Sequence, residues 1–289
     1  MRRIMLTIAY DGTDYVGWQI QPNGLAVEQV INKALSELLG EEIVIAGASR
    51  TDSGVHALGN VAVFDTNTRI PADKICFALN QRLPKDIVCL SSCEVRADFH
   101  PRHANCTKTY EYSIYNAVHP DPIKRRYSYF VYVPLDVDAM RKAAEYLKGE
   151  HDFASFCSAH AQVKTTVRTI YTLDIIAGKD EIIETQPHQK KYMSHDITIR
   201  ISGNGFLYNM VRIIAGTLVK VGYHFYPPEY VLEILNACDR KKAGPKAPAE
   251  GLKLIGIKYD PKDYEPLPDA TEDHTEPLID PADDMDEIE

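Results

Sequence analysis

The sequence predicts an α+β protein of two domains, each a mostly antiparallel sheet covered by helices. Three observations lead to this prediction. The chain has 289 residues with 45% hydrophobic content, which is enough to bury two modest cores. Strand-like and helix-like segments alternate irregularly in both halves, and a polar segment closes the chain. We place the N-terminal domain at 1–105, the C-terminal domain at 106–262 and an acidic tail at 263–289.

The N-terminal half begins with a strand and contains the clearest helix of the chain. RIMLTIAY, at 3–10, is typical of a strand ended by an Asp-Gly turn. Apolar residues between Val27 and Leu39 recur at the i, i+3, i+4, i+7 spacing of a core-facing helix, and Gly40 fits its C-terminal cap. Further elements are predicted as strands at 43–47, 59–65 and 87–95 and as a helix from Pro71 to about residue 82. SRTDSGVHAL, at 49–58, is then a loop between two strands, where a side chain can reach into a cleft.

The C-terminal half repeats this mixture of elements. Its predicted strands are 108–115, 127–133, 167–176, 196–202 and 252–260, and its predicted helices are 136–148, 207–222 and a segment after Pro227-Pro228. Residues 178–194 are polar and show no strong period, so we expect a long hairpin insertion there.

The charge distribution permits a polyanionic ligand. The net charge is -9, but residues 263–289 hold twelve Asp or Glu and no Lys or Arg, which leaves 29 acidic against 32 basic residues in 1–262. The body is therefore mildly basic. We expect the proline-rich acidic tail to be disordered and dispensable for chemistry. The alternative is an acidic arm that competes with a nucleic acid for the basic surface.

Six cysteines show no CxxC pair and no regular spacing, which argues against a zinc site and a disulfide scaffold and favours a reducing cytoplasm. No segment has the length of a signal peptide followed by a cleavage site or of a transmembrane helix, so no membrane partner is expected. The motifs of P-loop enzymes, dinucleotide-dependent oxidoreductases, zinc proteases and α/β-hydrolases are missing from the sequence.

Asp52 is the first candidate for chemistry, two residues after Arg50 in SRTDSGVHAL. A nearby guanidinium favours the charged carboxylate and lowers its pKa, so we expect Asp52 to act as a nucleophile or charge stabiliser rather than as a general base. The alternative is a turn aspartate that caps backbone amides.

Two more motifs carry candidate residues. KTYEYSIY places Tyr110 and Tyr112 on one strand face with Lys108 beside them, a pattern that suits base stacking and phosphate contact, although core packing is the commoner role. In GNGFLYNMVR, Arg212 lies among apolar residues with no acid within one helical turn. Arg212 therefore needs a distant carboxylate, for which Asp52 is a candidate, unless it faces solvent.

Taken in order, YDGTDYVGWQIQPN, ASRTDSGVHA, KTYEYSIY, GNGFLYNMVR and APAEGLKL resemble the TruA family of tRNA pseudouridine synthases, over about residues 4–260. The resemblance implies isomerisation of uridine to pseudouridine in the anticodon stem-loop of tRNA, without cofactor or metal. It also implies a homodimer with a central basic cleft, flanked by two RRM-like sheets with helices on one face.

The resemblance implies roles for five residues. Asp52 corresponds to the catalytic aspartate, and Arg212 to the basic partner of that aspartate. Arg50 corresponds to the arginine that helps displace the target nucleotide. Tyr110 corresponds to the tyrosine that stacks on the flipped base, and Leu252 to an apolar residue that lines the pocket. The sequence departs from the family at Ser49 and Ser53, where Gly and Ala are frequent, and at Ala26-Val27-Glu28, where Thr-Val-Gln is usual. The insertion and the acidic tail are also atypical, so RNA approach or the dimer contact could differ on that side.

Such a reaction breaks the C1′–N1 bond and rejoins the base through C5, which requires an ionised carboxylate. Attack on C1′ and proton abstraction to give a glycal both remain open. Two other classes also remain open. A non-catalytic RNA-binding protein needs only the cleft and Tyr110, whereas a nucleoside hydrolase needs a second acid, for which 40–65 offers Glu41, Glu42 and Asp65 outside the loop.

Overall fold

A computed structural model describes residues 1–158, 164–179, 181–183 and 192–266. The strands of this part are β1 (Arg2–Tyr10), β2 (Ala46–Gly47), β3 (His56–Thr66), β4 (Ile87–Val95), β5 (Cys106–Ala117), β6 (Tyr129–Val131), β7 (Gly149–Asp152), β8 (Val167–Ala177), β9 (Glu181–Ile183), β10 (Tyr192–Gly203) and β11 (Leu252–Tyr259). The helices are α1 (Val27–Leu39), α2 (Ile75–Asn80), α3 (Val137–Glu145), α4 (Met210–Gly222) and α5 (Tyr230–Ala237). None of these helices is long and apolar enough to cross a membrane.

The described strands form one continuous mixed sheet. Its main path runs β4-β1-β3-β11-β5-β10-β8-β7, while β2, β6 and β9 pair with β3, β5 and β10 respectively. Neighbours are antiparallel except for the parallel pairs β11 with β3 and β5 with β6. The last strand, β11, lies between β3 and β5 and so joins the strands of the two halves. The α+β class predicted from the sequence is confirmed.

The local patterns explain the first elements. Every second residue of β1 from Ile4 to Tyr10 is buried, as expected for a strand with one face on the core. The α1 helix ends at Gly40, whose φ of 68° lies in the left-handed region and whose N–H donates to Ser36 O. All five helices contribute buried side chains to one hydrophobic cluster with the sheet. Trp18, near the loop that carries Asp52, is among the largest fully buried side chains.

Several elements differ from the prediction. The strand expected at 127–133 is only β6, the helix expected from Pro71 to about 82 is α-helical only as α2, and β3 begins inside the loop expected at 49–58. Only β2 forms within the strand expected at 43–47, because two side chains of α1 accept hydrogen bonds from the backbone N–H groups of Ile43 and Ile45. Asn32 Oδ1 lies 3.0 Å from Ile45 N, and Ser36 Oγ lies 2.9 Å from Ile43 N. The β7 strand was not predicted; it forms the sheet edge by pairing with β8.

The predicted insertion and tail are described only in part. Within 178–194, β9 pairs antiparallel with β10, as expected for a hairpin, and residues 180 and 184–191 lie outside the described residues. Tyr264 packs on Phe99 with ring centroids 5.9 Å apart, and its carbonyl accepts from Arg96 N, so the folded body reaches past residue 263. The predicted acidic tail from 267 onward lies outside the described residues.

Candidate active site

The loop that carries Asp52 connects β2 to β3 and is held by the segment that follows β1. Trp18 N donates to Thr51 O at 3.0 Å, and Gly17 forms an isolated bridge with Asp52. Gly17 has a φ of 110°, and a Cβ there would lie 2.6 Å from Thr51 O. Only glycine fits this close approach, so the GWQ stretch of the first loop fixes the backbone beside Asp52.

Hydrogen bonds from buried hydroxyl and amide groups hold the same loop in place. Tyr10 Oη and Thr51 Oγ1 are 2.7 Å apart, and Asn60 Nδ2 donates to Ser49 O at 3.0 Å. Ser49 Oγ and Tyr110 Oη are also 2.7 Å apart. Because each of these polar groups is satisfied within the protein, the loop is held in one conformation before any substrate arrives.

Arg212, in the first turn of α4, forms the ion pair that the sequence predicted for it. Its Nη1 lies 3.3 Å from Asp52 Oδ2, and the side chains of Arg212 and Asp52 are 10% and 23% exposed. Nη1 also donates to Asn209 Oδ1 at 3.2 Å, and Nε donates to Ala247 O at 2.9 Å. Arg50, by contrast, is exposed. The guanidinium that contacts Asp52 therefore comes from the other half of the chain.

The carbonyl that orients Arg212 belongs to a loop packed tightly on α4. A Cβ at Gly216 would lie 1.9 Å from Pro245 O, so this approach requires glycine. Ala247 N in turn donates to Arg212 O at 3.1 Å. The same loop brings the exposed Lys246 close enough to Asp52 to act on its charge.

Burial raises the pKa of Asp52 above its ordinary value, and the charges of Arg212 and then Lys246 oppose this rise without cancelling it. The sequence-based expectation of a lowered pKa was wrong, because the loss of hydration outweighs the attraction of the guanidinium. A carboxylate with a raised pKa is more basic, and hence more nucleophilic once ionised, than an exposed aspartate.

Tyr110 and Leu252 lie on neighbouring strands beside this site. Tyr110 is 7% exposed, and its ring meets Phe206 edge-to-face with centroids 5.3 Å apart. Burial raises the pKa of Tyr110 to about 12, so its hydroxyl stays protonated at neutral pH. Leu252, the first residue of β11, is buried and pairs with Tyr112. Tyr112 follows the core-packing alternative, since it is fully buried and donates to Pro248 O at 2.8 Å.

The acids weighed for a nucleoside hydrolase lie elsewhere. Glu41 accepts from Thr66 and Asn67, Asp65 pairs with Arg3 at 2.8 Å, and Glu42 is exposed. The groups that act on the charge of Asp52 are cationic, so a second catalytic carboxylate is not found beside it in the described part of the chain. No cluster of potential metal ligands occurs within the described residues either.

A cavity of about 420 Å³ lies apart from Asp52, lined by residues that include Ala9, His56, Leu58, Val88 and Tyr127. Its lining does not include Asp52, Arg212, Tyr110 or Leu252, so the ion pair and this cavity are separate features.

Comparison with known proteins identifies the family. Residues 6–103 and 143–260 match the family model described as tRNA pseudouridine synthase. The chain is also 49% identical over 259 residues to tRNA pseudouridine synthase A of Ruminiclostridium cellulolyticum, covering 90% of this chain and 100% of that relative. The chain belongs to the TruA family of tRNA pseudouridine synthases. The synthase is likewise 48% identical to tRNA pseudouridine synthase A of Brevibacillus brevis, over the same shares of both chains. This family membership makes it an isomerase and removes the purely RNA-binding alternative.

The synthase contains site residues that its sequence motifs did not reveal. Asn209 lies three residues before Arg212, a spacing at which helical side chains meet, and this signal was available in GNGFLYNMVR. Tyr10 supports the Asp52 loop from β1 and Asn60 from β3, the strand that follows the loop, and no local pattern marks either residue. Lys246 precedes APAEGLKL directly, but its proximity to Asp52 depends on how the loop folds over α4.

Proposed function

We propose that this synthase isomerises uridine to pseudouridine in the anticodon stem-loop of tRNA, with Asp52 as the catalytic carboxylate. The observation that carries the proposal is the contact of Arg212 Nη1 with Asp52 Oδ2 at 3.3 Å. Both residues stand on backbone fixed by other parts of the fold, and both are largely buried. A preorganised carboxylate and guanidinium in a poorly hydrated site suit a reaction in which charge develops at a sugar and a base.

The reaction breaks the C1′–N1 bond, turns the uracil and forms a C1′–C5 bond. The hydrogen of C5 leaves as a proton and N1 takes up a proton, so the product is an isomer of uridine. Asp52 either attacks C1′ as a nucleophile or removes a sugar proton to give a glycal. Both routes require the unprotonated carboxylate. Arg212, oriented by Ala247 O and Asn209 Oδ1, stabilises that form. No cofactor or metal takes part in this proposal.

The other three residues of the proposed site, Tyr110, Leu252 and Arg50, position the target base. Tyr110 stacks on the flipped uracil, and Leu252 lines the pocket and keeps the detached uracil from escaping. Arg50, exposed two residues before Asp52, displaces the target nucleotide from its stem. Flipping a nucleotide costs a few kcal/mol, which contacts with the protein must offset.

The wider organisation belongs to the same proposal. Residues 1–105 and 106–262 form two RRM-like halves that flank a central basic cleft, and the enzyme acts in the cytoplasm as a homodimer. The net charge of +3 over 1–262, from 32 basic and 29 acidic residues, supports a cleft that attracts tRNA. The part of the predicted acidic tail (263–289) that follows the packed Tyr264 is dispensable for the chemistry in this proposal.

Pseudouridine mapping by carbodiimide treatment and reverse transcription tests the substrate position. An unmodified tRNA transcript incubated with the enzyme is expected to gain pseudouridine in the anticodon stem-loop. A matched transcript with cytidine at those uridines is expected to gain none. Pseudouridine formed in another arm of the tRNA would overturn the assigned position while leaving the enzyme class intact.

A further inference from the structure

Three cationic side chains converge on the backbone that leads into the Asp52 loop. Arg102 Nη2 donates to Gly47 O at 3.1 Å, and Lys108 Nζ donates to Ala48 O at 2.8 Å. Arg50 follows two residues after Ala48. We call Arg50, Arg102 and Lys108 the cationic cluster. They come from the Asp52 loop, the turn after β4, and β5, and Arg102 lies close enough to both Arg50 and Lys108 for their charges to interact.

Within the described residues, no carboxylate forms an ion pair with the cationic cluster. Among the described residues, Arg50 has no hydrogen-bond or ion-pair partner, and the recorded hydrogen bonds of the other two heads go to backbone carbonyls. Glu28 acts on Arg102 only at a distance, and its carboxylate accepts from Ile20 N. Three positive charges that lack an anion repel one another, and solvent screens this repulsion only in part because Lys108 is partly buried.

Burial and, to a lesser extent, the neighbouring cations lower the pKa values of Arg102 and Lys108. Burial lowers the pKa of Arg102, and the charge of Arg50 lowers it further. Burial likewise lowers the pKa of Lys108; Cys106 opposes this effect, and the charge of Arg102 adds to it by less than Cys106 opposes it. An anion bound among these groups would reverse both effects, because it would favour the charged forms.

The cluster borders the site of reaction. Ser49, between Ala48 and Arg50, contacts Tyr110, and Gly47 lies five residues from Asp52, a span of at most ~17 Å even for extended chain. The substrate of this family is a nucleic acid, so the anion that reaches this position is a backbone phosphate near the target nucleotide. Guanidinium groups bind phosphate with two parallel hydrogen bonds, and Arg50 and Arg102 are both exposed.

We propose that Arg102, together with Arg50 and Lys108, binds one backbone phosphate of the tRNA next to the nucleotide on which Asp52 acts. Because Arg102 and Lys108 hold the carbonyls of Gly47 and Ala48, the bound phosphate also fixes the entrance of the catalytic loop. The assignment of this phosphate to the neighbourhood of the target uridine rests on the proposed function, but the existence of the phosphate site does not.

The salt dependence of tRNA binding tests the site, with Arg102→Gln and a matched control, Arg96→Gln. Arg96 precedes the same turn, but it is paired with Asp98 at 2.7 Å. Losing one phosphate contact reduces the slope of log Kd against log salt by about 1. The ratio of the Arg102→Gln Kd to the wild-type Kd should therefore shrink about fourfold between about 50 and 200 mM KCl. Arg96→Gln should keep the wild-type slope.

A second measurement locates the phosphate. Full-length tRNAs are assembled by ligation, each carrying one uncharged methylphosphonate linkage in the anticodon stem-loop. One linkage is expected to weaken binding by the wild type and to have no further effect on Arg102→Gln. A wild-type slope for Arg102→Gln, or equal losses in both proteins at every linkage, would overturn the proposal. Pseudouridine mapping with the same preparations tests the proposed function separately, since a wrong target position leaves the slope result unchanged.

Lys108 is unsuitable as the main probe because it is partly buried and its Nζ donates to Ala48 O, so its replacement also removes a hydrogen bond that holds the loop. Arg102→Gln changes an exposed side chain, so thermal melting of this variant is expected to match that of Arg96→Gln.

Discussion

Arg212→Gln tests how strongly the ion pair of the site depends on its cation. The substitution keeps most of the side-chain volume but removes the charge 3.3 Å from Asp52 Oδ2. At that distance and an effective dielectric constant near 20, the attraction is about 5 kcal/mol. The side chain of Asp52 is 23% exposed, so solvent screens part of this attraction. Since a carboxylate is left without its partner, we expect the free energy of unfolding to fall by about 3 kcal/mol.

A double-mutant cycle with Asp52→Asn, followed by urea denaturation, separates this interaction from general damage. In the double variant no unpaired carboxylate remains, so its loss of stability should be smaller by about 2 kcal/mol than the sum of the effects of the two single substitutions. Additivity of the two substitutions within about 0.5 kcal/mol would refute the ion pair as an energetic unit.

The pH dependence of activity gives a second test of the same variant. Arg212 is the stronger of the two cations that lower the pKa of Asp52, so its loss raises that pKa further. The acidic limb of kcat/KM, measured by tritium release from tRNA labelled at C5 of its uridines, should move to higher pH. Arg3→Gln, which breaks the 2.8 Å pair with Asp65, is a matched control that should leave the limb in place.

Further predictions concern Asp52 itself, the glycine on α4 and Lys246. The pKa of Asp52 is raised in the folded protein, so the folded state holds this proton more tightly than the unfolded chain does. In thermal melts at pH 7, Asp52→Asn should therefore be at least as stable as the wild type. The difference in stability between the two proteins should shrink as the pH falls toward the ordinary pKa of an aspartate. A variant less stable than the wild type at pH 7 would contradict this expectation. In urea denaturation, the free energy of unfolding of Gly216→Ala should fall by about 1–3 kcal/mol, because its Cβ would lie 1.9 Å from Pro245 O. Gly256→Ala should keep a free energy of unfolding close to that of the wild type, because a Cβ at Gly256 meets nothing within 4 Å. Lys246→Gln should shift the acidic limb of kcat/KM upward by less than Arg212→Gln does, and an unchanged limb would exclude Lys246 from the electrostatics of the site.

Local patterns were sufficient to predict most of the elements and one long-range contact. The apolar spacing of α1 and its glycine cap depend on neighbours in sequence, and both are found in the structure. The pairing of Arg212 with Asp52 followed from a simple requirement: an arginine surrounded by apolar residues needs a carboxylate. That requirement predicts a carboxylate partner but not the distance between the guanidinium and the carboxylate.

Features that depend on tertiary packing were not predictable in this way. The position of β11 between β3 and β5 joins the strands into one sheet, and no local period encodes such a pairing. The direction of the pKa shift of Asp52 was missed because sequence shows neighbouring charges but not lost hydration. The role of Lys246 was missed for a similar reason, since its loop reaches Asp52 only through the close approach at Gly216.

The central claim is that the Asp52 carboxylate, paired with Arg212, carries out the isomerisation. Tritium release from tRNA labelled at C5 of its uridines, compared for the wild type and Asp52→Asn, tests it most directly, together with a filter-binding measurement of tRNA affinity for both proteins. We expect release by the wild type alone, with tRNA affinity nearly equal in the two proteins. Release by Asp52→Asn at most of the wild-type rate would contradict the claim and leave Asp52 as a turn residue.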